Sequence, residues 1–356
     1  MASSTLNQLT VLSRNLKDRV LASSSMVVAG QTPFDTVFTH DVCSVRYYAP
    51  ANAKYKTPLV IVSPLAVNML VYDLQPERSF IKYMMEQGFP VYLIDWGKPT
   101  RKHAGYTLET YIKDFLPKCL DAVRAHSKSD EVSLHGWSMG GGMSVVHAAI
   151  VECKGIRNII TLGTPIDGHA NGAAGKNYKR LSGWLKKARI NLRKVPAKLM
   201  YTPGWMNVIG FKLLDPVSAI KGYSELIKNA HDRDYVAQHA NQAAFIENLE
   251  AYPGGAIRDW FCSIWMENET AHGRFTVGHE QVLLSHVKCP VLCIAGKSDA
   301  LSNVPCSKGL MNVIGSADKE FFVGPGGHIG IVSGKEAPGT LWLKTSSWLA
   351  AHSIAA

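Results

Sequence analysis

The sequence predicts an α/β fold with a mostly parallel central sheet, helices on both faces of the sheet and an inserted helical cap. Short apolar runs typical of strands alternate with helix-like stretches up to about residue 166. This alternation then stops, and it resumes near residue 286. In addition, one strand-like run leads through a glycine-flanked serine directly into a helix-like stretch. Because strands that alternate with helices pair in parallel, these observations favour one such sheet with one long insertion.

The composition is that of a globular protein. The chain has 356 residues, of which 46% are hydrophobic and 19% are charged, and this balance excludes a disordered chain. The longest apolar run, PLVIVSPLAV, contains two prolines and is shorter than the roughly 18 residues of a membrane helix. We therefore expect no transmembrane segment. The length fits one large domain or two smaller ones.

Residues 1–35 are predicted to form an N-terminal helical segment. Their apolar spacing predicts an amphipathic helix with four residues near one face, namely Leu6, Leu9, Leu16 and Val20. Charged residues interrupt this stretch and no A-x-A cleavage pattern follows it, so it does not resemble a secretory signal. We expect a cytoplasmic protein. The next segment, FTHDVCSVRYYAP, alternates apolar and polar residues as a half-buried strand does.

Residues 36–166 and 286–356 are predicted to form the α/β core. The first part contains strand-like runs in PLVIVSP, PVYLIDWG, EVSLHGWS and RNIITLGTP, separated by helix-like stretches in PERSFIKYMMEQG, TLETYIKDFLPKCLDAVRAH and MGGGMSVVHAAIVEC. The second part contains the strand-like runs CPVLCIAGKSD and KEFFVGPGG, with helices near SKGLMNVIG and TLWLKTSSWLAAH. This order predicts parallel strands connected by helices.

Residues 167–285 are predicted to form a cap over the sheet edge at which active sites of open α/β sheets lie. Between Gly168 and Leu214 the cap has no Asp or Glu and ten basic residues, which are Lys176, Lys179, Arg180, Lys186, Lys187, Arg189, Arg193, Lys194, Lys198 and Lys212. Such a block could contact an anionic surface or a phosphate-bearing substrate, and a solvated basic face is the alternative. No nucleic-acid-binding motif accompanies the charge, so nucleic acid is not an expected partner.

The cysteines and histidines show no metal-binding spacing. Seven cysteines at irregular positions are not typical of a disulfide framework. Cys289 and Cys293 lie four residues apart in a strand-like run, which favours two interior thiols over half of a metal site. His279 and His286 are seven residues apart, whereas a helical ligand pair is spaced by four. We expect no metal and no cofactor.

The strongest local motif is G-x-S-x-G, formed by Gly136, Ser138 and Gly140. A strand-like run precedes it and a helix-like stretch follows it, which is typical of the nucleophile elbow of the α/β-hydrolase fold. In this turn the positions two before and two after the serine must lack bulk, and the helix N-terminus favours negative charge nearby. Ser138 is therefore the candidate nucleophile. His135 and His147 flank it and are expected to be structural.

A serine nucleophile needs a base, and the base needs a carboxylate that orients it. In this fold the order along the chain is Ser, acid, His. His328 lies in a glycine-rich loop after a strand-like run near the C-terminus and is the candidate base. Asp299 follows the strand that resumes the sheet and is the candidate acid. Asp167, just before the cap, is the main rival, and Asp95 also follows a strand.

The oxyanion hole is expected to combine two backbone N–H groups. One belongs to Met139, directly after the nucleophile. The other should come from the loop PLAVNML after the first parallel strand, at Leu65 or Ala66.

Longer stretches of the sequence resemble polyhydroxyalkanoate synthases. They include DLQPERS, YTLETYIKDFLPKCLDAV, YPGGAIRDWFCSIWMEN and GPGGHIGIV, and the similarity runs from about Pro58 onward in the same order. The resemblance implies that Asp299 and His328 are the acid and base and that Leu65–Ala66 is the oxyanion loop. It also implies a cysteine nucleophile, whereas this chain has Ser138 at that position. The compact N-terminus resembles the shorter synthases that work with a second subunit.

The serine changes the expected chemistry. A thiol exchanges with a thioester at almost no cost and keeps the acyl group activated, whereas a serine would hold it as a less reactive oxygen ester. We therefore expect an acyl-transfer enzyme that acts on acyl or 3-hydroxyacyl esters or thioesters, by hydrolysis or by transfer to another acceptor, with acyl-CoA as a possible substrate. One alternative is a polymerase that works with serine. The other is a non-catalytic protein that binds polyester granules or a synthase subunit, and an oligomer is possible.

Overall fold

An eight-stranded, mostly parallel sheet lies at the centre of the structure, which is a computed structural model. It describes the backbone of residues 2–214 and 216–356 and the side chains of residues 11–22, 25–213 and 222–356. The strands are β1 (Asp35–His40), β2 (Cys43–Tyr48), β3 (Leu59–Val62), β4 (Val91–Asp95), β5 (Val132–Trp137), β6 (Ile156–Leu162), β7 (Arg274–Val277), β8 (Glu280–Leu283), β9 (Val291–Gly296) and β10 (Lys319–Gly324). Their order in the sheet is β1-β2-β4-β3-β5-β6-β9-β10, and β7 and β8 form a separate hairpin. β2 is antiparallel to both neighbours and all other pairs are parallel, which confirms the predicted sheet.

Helices of the core pack on both faces of this sheet, and further helices lie in the N-terminal segment and in the insertion. They are α1 (Ala2–Leu21), α2 (Phe80–Glu86), α3 (Leu116–Ser127), α4 (Met139–Ile150), α5 (Gly172–Lys187), α6 (Ala197–Met200), α7 (Gly204–Leu214), α8 (Pro216–Lys228), α9 (Arg233–Ile246), α10 (Gly254–Phe261), α11 (Val304–Lys308), α12 (Leu310–Val313), α13 (Gly330–Ser333) and α14 (Leu343–His352). Alternate residues of β3 belong to two different cores: Val60 packs in the cluster that contains α3 and α4, and Ile61 in the cluster that contains α2 and α14. A strand buried on both faces is typical of a parallel sheet. Within the described backbone, no helix combines the length and the apolar character needed to cross a bilayer.

The segment predicted as one half-buried strand before the core is a hairpin, so that prediction is wrong. β1 and β2 pair antiparallel, with a register shift between Thr36 and Phe38, and they are separated by Asp41 and Val42. Asp41 has φ 50°, in the left-handed region that Asp tolerates better than most residues. The alternating pattern is the same in one long strand and in two paired ones, and it therefore did not reveal the reversal.

The stretch predicted as one helix before β5 contains two kinds of helix. A π-helical turn, Thr110–Phe115, leads into α3, and the N–H of Leu116 donates to the carbonyl of Tyr111, five residues earlier. Pro117 is the second residue of α3 and has no N–H to donate to a carbonyl of the preceding turn. The residues before the proline therefore widen into a π turn instead of continuing the α-helix.

The N-terminal segment forms a helix, as predicted, but its buried face differs from the predicted one. Leu16 packs against a small cluster with Met26 and Val236, whereas Val20 is 77% exposed. Asn15 is buried instead, and its amide donates to the carbonyl of Ala230. The side chains of Leu6 and Leu9 lie outside the described residues.

The long insertion lies between β6 and β9 and contains α5 to α10 and the β7–β8 hairpin. Its last part packs onto the core, since Trp260 of α10 and Phe275 of β7 belong to the same cluster as α4. The division into residues 1–35, 36–166 with 286–356, and 167–285 stays a prediction. These contacts favour a smaller cap that ends near the start of α10.

Candidate active site

Ser138 occupies the sharp turn between β5 and α4. Its backbone has φ 52° and ψ −123°, a combination that is strained for any residue with a Cβ. The flanking glycines make the turn possible. A Cβ on Gly136 would lie 2.4 Å from the backbone of Gly141, and one on Gly140 would lie 2.0 Å from the carbonyl oxygen of Val62. The spacing of the motif thus follows from the close approach of three backbone segments.

Asp299 and His328 form a hydrogen-bonded pair. The Oδ2 of Asp299 lies 2.7 Å from the Nδ1 of His328, and both side chains are largely buried. The other oxygen of the carboxylate, Oδ1, accepts the N–H groups of Leu301 at 2.9 Å and Ser302 at 2.8 Å. The loop after β9 therefore fixes the carboxylate and leaves one oxygen for the imidazole. This arrangement can hold His328 in the tautomer that presents Nε2 as a base.

The two other candidate acids have different partners. Asp95 forms a very close ion pair with Arg46 and accepts the N–H of Gly97. Asp167 caps a short helical turn by accepting the N–H of Ala170, and it also accepts the side-chain amide of Asn268. Among the described residues, Asp299 is the one of these three aspartates that forms a hydrogen bond with a histidine.

Two residues that the sequence analysis did not single out connect the serine to this pair. The indole N–H of Trp137 donates to the backbone carbonyl of His328 at 3.1 Å, and the two rings lie 5.3 Å apart. Gly163 follows β6, and a Cβ at this position would lie 3.0 Å from Asp299 Oδ2 and 3.4 Å from His328 Nδ1. The N–H of Ser138 donates to the carbonyl of Leu162, next to this glycine. In the sequence, Trp137 could have been singled out only because it belongs to the elbow. Gly163 could have been singled out only because it directly follows a strand.

The three candidate catalytic residues thus follow the carboxyl ends of parallel strands. Ser138 follows β5 directly, Asp299 lies three residues after β9, and His328 lies four residues after β10. Since β5, β6, β9 and β10 are neighbours in this order, these residues belong to one edge of the sheet.

The predicted oxyanion donors lie at the start of α4 and in the loop after β3. Met139 is the first residue of α4, and Ala66 is in the loop after β3 with φ 63°. Among the described residues, none accepts a hydrogen bond from the N–H of Met139, Leu65 or Ala66. The carbonyl of Ala66 accepts the N–H of Glu250, which connects this loop to the insertion. The donor at Leu65 or Ala66 stays a prediction.

His135 and His147 are enclosed by the core. Burial lowers the pKa of each imidazole to about 4, because the charged form is poorly solvated there. The ring of His135 lies 4.7 Å from the ring of Phe80. Both side chains are therefore neutral at pH 7 and belong to the interior.

A cavity of about 400 Å³ reaches His328 from the side of the insertion. Its walls combine α7, α8 and α9 with the two loops that hold Asp299 and His328, and its apolar lining includes Phe211, Tyr223 and Ile246. Lys212 and Glu247 add opposite charges to the lining. Of the three candidate catalytic residues, His328 is the one found among the described residues that line this cavity. An apolar group of a substrate fits such walls.

Comparison with known proteins places the chain in a family. A family model described as "Poly-beta-hydroxybutyrate polymerase (PhaC) N-terminus" matches residues 12–84, and one described as "Serine aminopeptidase, S33" matches residues 77–328. The poly(3-hydroxyalkanoate) polymerase subunit PhaC of Haloferax mediterranei is 30% identical over 95% of this chain and 69% of that protein. The PhaC subunit of Allochromatium vinosum is 30% identical over 88% of each chain. The chain belongs to the PhaC family.

Solved structures show the same fold as this PhaC family member. The monoacylglycerol lipase of Paleococcus ferrophilus has a TM-score of 0.51 and 17% identity, with 85% of this chain and 98% of that chain covered. DcsB, solved with its substrate analogue, has a TM-score of 0.55 and 16% identity, with 90% and 99% covered. These similarities confirm the α/β-hydrolase fold. Together with its family, the fold makes the chain an enzyme of the α/β-hydrolase type.

Proposed function

We propose that this PhaC family member is an acyl-transfer enzyme that uses Ser138 as nucleophile, His328 as general base and Asp299 to orient the histidine. The observation that supports this most strongly is the hydrogen bond from His328 Nδ1 to a buried carboxylate, and the strained backbone of Ser138 supports it further. A merely structural serine has no need of such a backbone conformation. The substrates we infer are 3-hydroxyacyl esters or thioesters, because the relatives are named poly(3-hydroxyalkanoate) polymerase subunits.

The reaction begins when Ser138 Oγ attacks the acyl carbon and His328 Nε2 takes the hydroxyl proton. The oxyanion that forms accepts hydrogen bonds from the N–H of Met139 and from an N–H at Leu65 or Ala66. His328 then gives its proton to the leaving alcohol or thiol, and the acyl group remains on Ser138. Water or another alcohol, activated by His328, completes the cycle.

The serine favours hydrolysis or simple acyl transfer over chain growth. An acyl group on Ser138 is an oxygen ester, with little driving force for transfer to the next hydroxyl group. A polymerase that uses serine is the alternative, and the family relationship supports it.

The insertion offers a surface for a further contact. Between residues 176 and 198 eight of the basic side chains are exposed, and large apolar side chains are exposed beside them, including Trp184, Leu199 and Trp205. Cationic and apolar groups together suit the CoA phosphates, a granule surface or a second subunit. We propose that this surface faces the acyl-CoA or the granule in the cytoplasm. A non-catalytic granule-binding role is the second candidate function, and these exposed residues are what favours it.

Purified protein with 3-hydroxybutyryl-CoA tests the catalytic proposal. Release of free CoA thiol, free 3-hydroxy acid and insoluble polyester should be followed in the wild type, Ser138→Ala and Ser138→Cys. Ser144→Ala is the matched control, because this serine is buried in α4 and its hydroxyl donates within the helix to Gly140. We expect thiol release with free hydroxy acid from the wild type and the control, and at least a 1,000-fold loss in Ser138→Ala.

The products distinguish the candidate functions. Polyester from the wild type would favour the polymerase alternative, and polyester from Ser138→Cys alone would show a synthase scaffold that the serine diverts to other products. Equal rates in the wild type and Ser138→Ala would overturn the assignment of the nucleophile. Binding to granules without turnover of esters or thioesters by any variant would favour the non-catalytic role.

A further inference from the structure

Two cysteines that play no part in the proposed reaction lie in direct contact. Cys153 follows the end of α4 by three residues, and Cys289 precedes β9 by two. Their sulfur atoms are 2.8 Å apart, although the residues are separated by 136 positions in the sequence. Such a distance is shorter than an ordinary contact between two thiols. The fold therefore brings the two sulfurs to a separation from which a bond can form with little movement of the backbone.

The surroundings of Cys153 favour its thiolate. The backbone N–H groups of Lys288 and Cys289 point at its sulfur from 3.3 and 3.2 Å. The thiol of Cys289 and these two N–H groups lower the pKa of Cys153 to about 6, against the effect of burial, while the same contact raises the pKa of Cys289. The pair thus consists of a nucleophilic sulfur and a protonated neighbour.

Exposure distinguishes Cys153 from the other cysteines. Cys153 is half-buried, whereas its neighbour Cys289 is buried, as are the five others, Cys43, Cys119, Cys262, Cys293 and Cys306. Cys43 and Cys119 also face each other, with sulfurs 4.0 Å apart, but both lie inside the main core. A reagent in solution can therefore reach Cys153 without unfolding the protein, and the buried pair serves as an internal comparison.

We propose that Cys153 and Cys289 form a thiol–disulfide modification site that reacts with low-molecular-weight disulfides. The thiolate of Cys153 attacks one sulfur of the small disulfide, breaks its S–S bond and releases one thiolate. That thiolate takes the proton of Cys289, and the sulfur of Cys289 attacks the mixed disulfide and expels the second thiolate. The two protein thiols are oxidised by two electrons to one intramolecular disulfide, and the small disulfide is reduced to two thiols.

The new bond would connect the two segments that flank the insertion. It would close a loop that begins after α4, runs through β6 and the whole insertion, and returns at the start of β9. Closing so long a loop restricts the unfolded chain and raises the stability of the folded one. The pair lies beyond the C-terminal end of α4, about 18 Å along the helix from Ser138, by the rise of 12 residues. We therefore expect oxidation to change the midpoint of thermal unfolding and not the rate of acyl transfer.

The test uses the reduced full-length protein, incubated with oxidised glutathione without denaturant. Free thiols should fall from seven to five per chain, and peptide mapping without reductant should find Cys153 linked to Cys289. The rate of the first step should rise between pH 5 and pH 7 and then level off, since Cys153 is ionised above about pH 6. The oxidised protein should unfold several degrees higher than the reduced one.

Three variants make the result decisive. Cys153→Ser should lose no free thiol, Cys289→Ser should stop at a stable mixed disulfide on Cys153, and Cys43→Ser should behave like the wild type. A mixed disulfide on Cys153 that persists in the wild type, a disulfide between two chains, or oxidation of Cys43 and Cys119 instead would each overturn the proposal. An unchanged count of seven free thiols per chain would also overturn the proposal.

Discussion

At the level of single residues, Asp299 uses its two carboxylate oxygens for different partners. One oxygen accepts hydrogen bonds from the N–H groups of Leu301 and Ser302, and the other is hydrogen-bonded to His328. The sequence alone left Asp299, Asp167 and Asp95 as candidates, because each follows a strand. Their partners differ because the loop after β9 lies beside the loop after β10, and this adjacency is a property of the sheet order.

The pairing with His328 leads to a prediction for Asp299→Asn. The amide presents an N–H where the imidazole needs an acceptor, which turns the ring or stabilises the wrong tautomer. We expect kcat to fall by about 10⁴-fold on any acyl substrate that the wild type turns over. Steady-state kinetics of Asp299→Asn beside Asp167→Asn checks this, because Asp167 caps a helical turn and its variant should stay within a few-fold of the wild type. A larger loss of kcat in Asp167→Asn than in Asp299→Asn would identify Asp167 as the acid that orients the histidine.

At the level of elements, α4 connects the elbow to the core through close contacts that glycines permit. A Cβ on Gly142 would lie 2.4 Å from the indole of Trp260, which belongs to α10. The sequence MGGGMSVVHAAI predicts a helix but does not show which glycine faces a neighbour. In α5, by contrast, no described atom outside the helix's own backbone lies within 4 Å of the Cβ position of Gly183.

These two helical glycines should respond to alanine in opposite ways. Gly142→Ala forces Trp260 to move and should lower the free energy of unfolding by about 1–3 kcal/mol. Gly183→Ala should stabilise α5 by about 0.5–1 kcal/mol, since alanine loses less backbone entropy than glycine in a helix. Urea unfolding measures the first, and amide hydrogen exchange within α5 measures the second even if the insertion unfolds separately. If Gly142→Ala raised the free energy of unfolding, the space between α4 and the indole of Trp260 would have to be large enough for a methyl group, which contradicts the short distance in the structure.

At the level of the whole molecule, two neutral histidines make stability depend on pH. Burial lowers the pKa of His135 and His147 from 6.5 to about 4. Between these values the unfolded chain binds more protons than the folded one. Stability therefore falls as the pH falls from about 6.5 to about 4, and the loss is complete below that range.

The expected loss between pH 7 and pH 5 is about 2 kcal/mol for each of the two histidines. Urea unfolding at both pH values tests this in the wild type, in His147→Gln and in the control His279→Gln, which changes an exposed histidine between β7 and β8. His147→Gln should show a smaller difference between the two pH values than the wild type, and His279→Gln should match the wild type. An undiminished difference in His147→Gln would place the titrating group elsewhere.

The sequence by itself determined the sheet class, the elbow at Ser138 and the candidate base, because strand-like runs, glycine spacing and chain order are local patterns. It did not determine the hairpin at Asp41, the exposure of Val20 or the roles of Trp137 and Gly163. Only the tertiary structure separated the three aspartates and brought Cys153 to Cys289. The physical reason is distance along the chain: periodicity reports the environment of neighbouring residues, whereas these contacts join segments that meet only when the parallel strands align.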